Sequence, residues 1–255
     1  MADTAAHAIE EALCVAVSDA IALFPQTCVS ALSGGVDSAF VAAIAHLPAV
    51  TAGFAGSHDL LAAQKAADAL HLPLTVHELK ETEIIEALAK VVPVLPDPTA
   101  MNAEIALSEY FIFRTAHACG ASAVLTGQGA DELFAGYDRY GRSVHLREDL
   151  DHDYAIYYLQ QERDYSVATL WHIEILQPFM DPRVVAAART LQQEDLVDGN
   201  LRKVALRRAA ESCLPHDLAW LPKKAMQYGT GVAKIIDRHA RKERLTVQEY
   251  IEQFR

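Results

Sequence analysis

The chain has 255 residues, is 51% hydrophobic and carries a formal net charge of −12 at pH 7. This length suits one large α/β domain, and the acidic balance argues against a nucleic-acid partner, because proteins that bind a phosphate backbone usually present a basic face. No apolar run reaches the about 18 residues of a membrane span, and no secretory leader opens the chain, so we expect a cytoplasmic protein without a membrane partner. The four cysteines show no Cys-x-x-Cys spacing, which favours reduced, packed thiols over a zinc site.

Helices and strands are predicted to alternate through the first half of the chain. Apolar residues at three- and four-residue steps predict a helix over 4–23, which Pro25 ends. Short apolar runs predict four strands, over 27–32, 49–54, 74–79 and 121–126. Helical patterns follow the first strand up to His46 and then cover 59–70, 81–91 and 105–119. Such alternation is typical of a parallel twisted sheet with right-handed crossovers and helices on both faces.

The pattern changes after Tyr137, and no convincing strand follows in the sequence. Helical patterns cover 153–176, 181–193, 201–211 and 230–241. The chain has no internal repeat and no low-complexity linker, so the sequence predicts a single domain over 1–255. This domain is expected to consist of an α/β core, 1–140, and a helical extension, 141–255, packed on the core.

A Ser/Gly turn, residues 33–38, lies between the first predicted strand and its helix and reads Ser-Gly-Gly-Val-Asp-Ser. We call it the phosphate loop, because N–H groups at a helix start attract anions and paired glycines let the backbone approach a phosphate closely. Its two serines add hydroxyl donors, whereas Asp37 suits Mg²⁺, which prefers carboxylate oxygens together with phosphate oxygens. The turn lacks the Gly-Lys-Ser/Thr ending of a Walker loop and the spacing of a dinucleotide fingerprint. The alternative is an ordinary Ser/Gly turn.

A second glycine-rich turn, residues 126–132, follows the fourth predicted strand and reads Thr-Gly-Gln-Gly-Ala-Asp-Glu. The carboxyl ends of parallel strands share one edge of a sheet, so this turn is expected beside the phosphate loop. Asp131 is then expected to face Asp37 across a bound triphosphate, where two carboxylates suit a metal and its pyrophosphate leaving group. The alternative is that Asp131 and Glu132 only cap the start of a short helix.

Both turns resemble motifs of known enzymes. The phosphate loop resembles the Ser-Gly-Gly-x-Asp-Ser loop of the PP-loop ATP pyrophosphatases, which cleave ATP between the α- and β-phosphates. Residues 126–137 resemble the Ser-Gly-Glu-Gly-Ala/Ser-Asp-Glu-x-Phe-x-Gly-Tyr motif of the asparagine synthetase family. The resemblance is collinear over about residues 20–235, with further similar segments at 53–60, 171–181, 203–208, 214–215 and 220–224. It implies the adenine nucleotide alpha hydrolase-like fold of that superfamily.

The resemblance also implies a reaction and its site. ATP adenylates a side-chain carboxylate, most simply that of aspartate, with release of pyrophosphate, and ammonia then displaces AMP to give asparagine. The implied cofactors are ATP and Mg²⁺, with Asp37 and Asp131 as metal ligands and Lys223 as the cation that stabilises phosphate charge in both half-reactions. The residues implied to bind ATP are Ala31, Ser33, Gly34, Gly35, Asp37, Ser38, Ala52, Thr126 and Gly127.

The sequence departs from the family in two places. Glutamine-hydrolysing members begin with a glutaminase domain whose nucleophile is a Cys after the initiator Met, whereas residue 2 here is Ala and about 26 residues precede the first predicted strand. Ammonia is therefore expected to come free or from a separate glutaminase subunit, and a homodimer is left open. Gln128 stands where the family usually has Glu, and a neutral amide is no general base, so Glu132 or a histidine is the expected replacement.

Gln128 also leaves alternatives to asparagine synthesis open. One alternative is that the chain amidates or cyclises another carboxylate. The other is that it is an ATP-binding regulatory homologue without turnover. The presence of Asp37 and Asp131 argues against the regulatory homologue, because both carboxylates are needed for metal-dependent chemistry. Modification of tRNA is disfavoured, since the chain lacks a basic face and a reactive cysteine pair.

Overall fold

The structure is a computed structural model that describes residues 2–221 and 229–255. Its centre is a parallel sheet of five strands in the order β3-β2-β1-β4-β5. The strands are β1 (Cys28–Ala31), β2 (Ala49–Gly53), β3 (Leu74–Glu78), β4 (Ala123–Leu125) and β5 (Glu174–Leu176). The order reverses at β1, so the carboxyl ends of β1 and β4 border the crevice where sheets of this type bind ligands.

Helices connect the strands and cover both faces of the sheet. The first half of the chain forms α1 (Ala2–Leu23), α2 (Val36–Ala45), α3 (His58–Leu70), α4 (Glu81–Val91), α5 (Ala100–Ala118) and α6 (Ala130–Leu133). The second half forms α7 (Leu146–Ala155), α8 (Tyr158–Ala168), α9 (Pro182–Arg189), α10 (Gln193–Leu196), α11 (Val204–Ala210), α12 (His216–Ala219), α13 (Val232–Lys242) and α14 (Val247–Glu252). A short antiparallel pair, β6 (Val197–Asp198) and β7 (Leu201–Arg202), precedes α11.

Two apolar cores lie on opposite faces of the sheet. One core contains α1, α2 and α9 with residues such as Leu13 and Phe40, and the other contains α4, α5 and α13 with residues such as Phe111 and Ile236. The middle strands are buried on both sides, which explains why β1 and β4 read as continuous apolar runs rather than alternating ones. The predicted α/β architecture, with a parallel sheet and helices on both faces, is confirmed.

The expectation that no strand follows Tyr137 is wrong. The predicted helix over 153–176 is divided into the end of α7, α8 and a 3₁₀ turn, and its last three residues form β5 beside β4. The predicted helix over 201–211 likewise begins only at Val204, after β7. Three-residue strands carry too little alternation to be separated from the end of an apolar helical pattern.

The part of the chain after residue 140 therefore contributes a strand to the sheet as well as helices. The division into a core, 1–140, and an extension, 141–255, stays a prediction. No helix in the described ranges combines the length and apolar character that a bilayer span requires.

Candidate active site

The phosphate loop and the second glycine-rich turn are in contact at the carboxyl edge of the sheet. A Cβ atom added at Gly127 would lie 2.7 Å from the backbone nitrogen of Ser38 and 2.8 Å from the carbonyl carbon of Asp37. Any larger residue would push the two turns apart, since contacts below about 3 Å are not tolerated between such atoms. Glycine at position 127 thus fixes the distance between the two predicted halves of the site.

Hydroxyl groups hold the phosphate loop in its shape. Ser38 Oγ accepts a hydrogen bond from the backbone nitrogen of Ser33 at 3.1 Å, lies 3.0 Å from Ser33 Oγ and donates to the Gly35 carbonyl at 3.1 Å. No side chain caps the start of α2 at Gly35. The first N–H groups of this ten-residue helix therefore face the loop without a competing side-chain acceptor, as an anion site requires.

Lys203 joins Asp37 to Asp131. Its Nζ atom lies 2.5 Å from Asp37 Oδ2 and 2.6 Å from Asp131 Oδ1, and its side chain is only 2% exposed. Burial by itself lowers the pKa of Lys203, but the charges of Asp131 and Asp37 outweigh burial and raise that pKa above its ordinary value. The expected proximity of the two carboxylates is present, and a permanent cation lies between them.

The backbone conformation of Lys203 and the absence of a side chain at Gly136 make room for the ion pair. Lys203 adopts a left-handed conformation, with φ of 59°, immediately before α11, which turns its side chain into the site. A Cβ atom at Gly136 would lie 1.7 Å from Asp131 Oδ1 and 2.4 Å from Lys203 Cε, so only glycine leaves room for this ion pair. Lys203 lies in the segment 203–208 that resembles the family, but the sequence gives it no role of its own, because a lysine within a predicted helix has no distinctive signal without its spatial partners.

The donor set around Lys203 fits a magnesium ion bound together with phosphates. Asp37 Oδ1 is buried and has no hydrogen-bond partner among the described residues. Mg²⁺ is commonly held by one or two carboxylates and completed by phosphate oxygens and waters. Clusters of three or more potential metal-ligating side chains do not occur in the described part of the chain, so the protein alone offers only a partial coordination shell.

The residues predicted to contact adenosine and phosphate lie along the same edge. Ala31 ends β1, Ala52 is the penultimate residue of β2, and Thr126 directly follows β4. Lys223 lies outside the described residues. Arg207 nevertheless fixes the chain that leads to it, since its Nη1 donates to the carbonyls of Ala219 at 2.6 Å and Leu221 at 3.1 Å.

Glu132 is directed away from the ion pair and towards α8. Its carboxylate accepts hydrogen bonds from Tyr137 Oη at 2.5 Å and from Gln160 Nε2 at 2.7 Å, and the residue is 2% exposed. Burial, together with the neighbouring charge of Asp131, raises the pKa of Glu132. Its predicted role as a replacement base stays a prediction, and both of its hydrogen-bond partners hold it in the wall of the site.

Gln128 has all four of its hydrogen-bonding positions filled by protein. Its Oε1 atom accepts from Thr126 Oγ1 and from Gln177 Nε2, each at 3.1 Å. Its Nε2 atom donates to Glu109 Oε1 at 2.6 Å and to Asp164 Oδ2 at 2.8 Å. A glutamine amide has two acceptor and two donor positions, so Gln128 acts as a bridge from the strand ends to two buried carboxyl groups.

Those carboxyl groups lie on helices that the motif analysis did not single out. Glu109 is on α5 and Asp164 is on α8, and they are 3% and 1% exposed. Arg163 binds Asp164 through Nη2 at 2.6 Å and Nε at 2.8 Å and lies 4.0 Å from Glu109. Burial, followed by the charge of Asp164, raises the pKa of Glu109 well above its ordinary value, and burial also raises that of Asp164.

We expect the stability of the folded chain to fall as the pH rises above about 4.5, the ordinary pKa of Glu109. Between that value and the raised folded pKa, the folded chain keeps a proton that the unfolded chain has released. Each pH unit in this window therefore lowers the free energy of unfolding by at most about 1.4 kcal/mol for this group. Urea unfolding of the native chain and of Glu109→Gln, from about pH 5 to about pH 8, checks this.

The contribution of Glu109 is the difference between the two unfolding profiles. Asp164, Arg163 and Tyr157 face Glu109 and remain in both proteins, so the difference reports the Glu109 carboxyl group together with its effect on the neighbouring Asp164. Glu109→Gln should become relatively more stable towards alkaline pH. Parallel profiles would show that Glu109 keeps an ordinary pKa.

Comparisons with known proteins find similarity along most of the chain. A family model described as asparagine synthase matches residues 8–165 and 151–253. The chain is 31% identical over 253 residues to a putative glutamine-hydrolysing asparagine synthetase 1 of Methanocaldococcus jannaschii, which covers 82% of this chain and 47% of that protein. It is 27% identical over 231 residues to the glutamine-hydrolysing asparagine synthetase B of Escherichia coli, with 80% and 41% covered. The chain spans about half the length of these curated relatives.

Proposed function

Because the chain belongs to the asparagine synthase family, we propose that it is an ATP-dependent ligase that adenylates a carboxylate, most simply that of aspartate, and transfers the acyl group to ammonia. The observation that carries this proposal is the meeting of Asp37, Lys203 and Asp131 between two glycine-rich turns. Neither turn alone distinguishes a phosphate site from a simple helix start. Together they bring two carboxylates and one cation to one edge of the sheet, a set that supports the binding of a triphosphate chain through a metal ion.

The phosphate loop supplies the anion contacts in this proposal. The uncapped start of α2 offers N–H donors to the pyrophosphate portion of ATP. The hydroxyls of Ser33 and Ser38, which bond within the loop in this structure, would become O–H donors to the pyrophosphate by rotating away from those partners. Lys203 adds a positive charge that does not depend on pH near neutrality, because its pKa is raised. These groups favour the negative charge that accumulates on the leaving pyrophosphate when the substrate carboxylate attacks the α-phosphorus.

Magnesium would be held by Asp37 and Asp131 and would neutralise charge on the leaving pyrophosphate. Adenosine would lie along Ala31, Ala52 and Gly127, at the ends of β1, β2 and β4, where backbone groups recognise it. Lys223 would complete the cationic set from the segment that follows Leu221. Arg207 orients the start of that segment through the Leu221 carbonyl.

A second candidate is the amidation or cyclisation of a different carboxylate. The environment of Gln128 supports this second candidate. The amide of Gln128 is fully hydrogen-bonded to protein groups and leaves no hydrogen-bonding position for the substrate. A family site with Glu at this position presents a charge that is absent here. The acceptor substrate is therefore to be measured with a panel of acids rather than with aspartate alone.

We further propose that ammonia comes free or from a separate glutaminase subunit, that the protein acts in the cytoplasm, and that neither nucleic acid nor a membrane is a partner. The net charge of −12 supports the exclusion of nucleic acid, since a phosphate backbone would be repelled. A homodimer stays open to measurement by light scattering.

Pyrophosphate release from ATP, measured with Mg²⁺ and a panel of carboxylic acids, tests the proposed function. We expect aspartate to stimulate release and ammonium to convert the adenylate to asparagine and AMP, whereas glutamine should not replace ammonium unless a glutaminase is added. Stimulation by a different acid would select the second candidate. Binding of ATP without carboxylate-dependent pyrophosphate release would instead indicate a regulatory homologue and contradict both enzyme proposals.

A further inference from the structure

A buried cluster of acidic side chains, which we call the acidic pocket, lies beside the second glycine-rich turn, between α5 and α8. We define the acidic pocket by Glu109, Asp164, Gln128 and Tyr157. Gln128 anchors it to the carboxyl ends of β4 and β5, because its side-chain oxygen accepts from Thr126 and Gln177. The cluster therefore lies beside the same edge of the sheet as the phosphate loop, and Gln128 is three residues before Asp131 in the chain.

The acidic pocket carries more negative than positive charge. Glu109 and Asp164 both accept from the one Nε2 atom of Gln128, at 2.6 Å and 2.8 Å, which brings the two carboxyl groups together. Arg163 supplies a single positive charge, and both of its short contacts go to Asp164. When both carboxyl groups are ionised, one guanidinium leaves one negative charge in a buried place, so the pocket attracts a cation or a proton, and the raised pKa of Glu109 reflects its attraction for a proton.

One hydroxyl group of the acidic pocket lacks a partner among the described residues. Tyr157 Oη is buried and accepts or donates no hydrogen bond there. Glu109 Oε2 meets no N–H or O–H donor, and the Glu109 carboxyl group is instead hydrogen-bonded to that of Asp164. Tyr157 is 2% exposed, and the charges of Asp164, Glu132 and Glu109 all act on its hydroxyl group. Buried polar atoms are nearly always hydrogen-bonded, so an unpartnered hydroxyl beside a close pair of carboxyl groups favours a small polar molecule with N–H or O–H donors.

We propose that the acidic pocket receives the nitrogen nucleophile as an ammonium ion, and that Glu109 takes the proton which this ion must lose before it attacks the acyl adenylate. The inference rests on the proposed function and names the base that Gln128 cannot be. Asp164 is a positioning residue, since Arg163 holds it in place and it shares the Gln128 donor with Glu109. Burial suits Glu109 to the task, because a raised pKa makes its carboxylate a stronger base.

The step balances in protons and electrons. The step starts from molecules in which Glu109 is ionised. Ammonium gives Glu109 one proton, and the freed nitrogen lone pair forms the C–N bond to the acyl carbon. The C–O bond to the adenylate breaks, and AMP leaves with the bonding pair. The second proton leaves the new amide nitrogen for the departing phosphate oxygen, so the products are a primary amide, AMP and protonated Glu109.

The test compares two nucleophiles that differ in charge. Hydroxylamine is mostly neutral near pH 7 and attacks acyl adenylates to give hydroxamates, so it needs neither a cation site nor a base. For Glu109→Gln we expect carboxylate-dependent pyrophosphate release and hydroxamate formation to stay within about threefold of the native chain. Ammonium-dependent amide formation should fall by about 10²-fold or more, the usual contribution of a general base.

Two further variants make the comparison sharp. Tyr157→Phe removes only an unpartnered hydroxyl and should raise the KM for ammonium about fivefold with little change in kcat. Glu104→Gln is the matched control, since Glu104 also lies on α5 and burial also raises its pKa, but it is not part of the acidic pocket. Glu104→Gln should leave all three readouts unchanged.

Several outcomes would overturn the inference. If Glu109→Gln forms amide from ammonium at the native rate, the inference is overturned, while the proposed ligase function is unaffected. An equal loss of hydroxamate and amide formation would also overturn the inference, because the acidic pocket would then be needed for a step that precedes attack by either nucleophile. A native chain without carboxylate-dependent pyrophosphate release would remove the proposed function and this inference together.

Discussion

Replacing Asp37 or Asp131 by asparagine is expected to reduce Mg²⁺-dependent pyrophosphate release by about 10²- to 10³-fold, the range seen when one preorganised hydrogen-bonding group that stabilises charge is lost from an active site. Each change keeps the size of the side chain and removes the charge that a hard cation prefers. The chain should still fold, because Lys203 retains one carboxylate partner at 2.5 Å or 2.6 Å in either variant. Circular dichroism and a pyrophosphate assay measure the two effects separately.

Asp138→Asn is the control for this loss of charge. Asp138 pairs at 2.7 Å with Arg202, the residue before Lys203 in the chain, but the side chain of Asp138 is 91% exposed. Exposed ion pairs contribute little, so this variant should keep native activity. Near-native pyrophosphate release by Asp37→Asn would show that the Asp37 carboxylate is not a metal ligand and that Lys203 stabilises the negative charge of the phosphates without it.

The sheet and the two glycine-rich turns could be predicted because their signals are local. β1 and β4 are continuous apolar runs that end directly in Ser/Gly or Thr/Gly sequences, and the structure places those ends side by side. β5 was missed for the opposite reason. It has three residues and follows a 3₁₀ turn, and its pairing with β4 rather than its own sequence makes it a strand.

The rest of the candidate site is formed by residues that are distant in sequence. Lys203, Glu109 and Asp164 each look like an ordinary polar position near or within a helix, and their burial appears only when the helices pack. Glu109 and Asp164 become a pair only through Gln128, which bonds to both. The sequence marked Gln128 as unusual, but it did not reveal that Gln128 contacts two buried carboxyl groups.

The contact between Gln128 and Glu109 predicts a strong energetic coupling between positions 109 and 128. Gln128→Glu alone removes the two donors of Nε2 and puts a third carboxylate within hydrogen-bond distance of Glu109 and Asp164. Arg163 then faces three negative groups, and a buried uncompensated charge costs about 3–5 kcal/mol. We expect Gln128→Glu to lose stability by about this amount and to form amide more slowly than the native chain.

Exchanging the two side chains should reverse most of that loss. In the double variant Glu109→Gln with Gln128→Glu, the number of carboxylates returns to two, and the amide at 109 can donate to the new carboxylate at 128. The two positions are in direct contact, at 2.6 Å in the native chain, so their effects cannot be independent. Urea unfolding of the four proteins in the cycle should give a coupling energy of at least about 1.5 kcal/mol in favour of the exchange. Additive effects would mean that Gln128 and Glu109 do not share one charge balance, and would remove the physical link between the unusual glutamine and the acidic pocket.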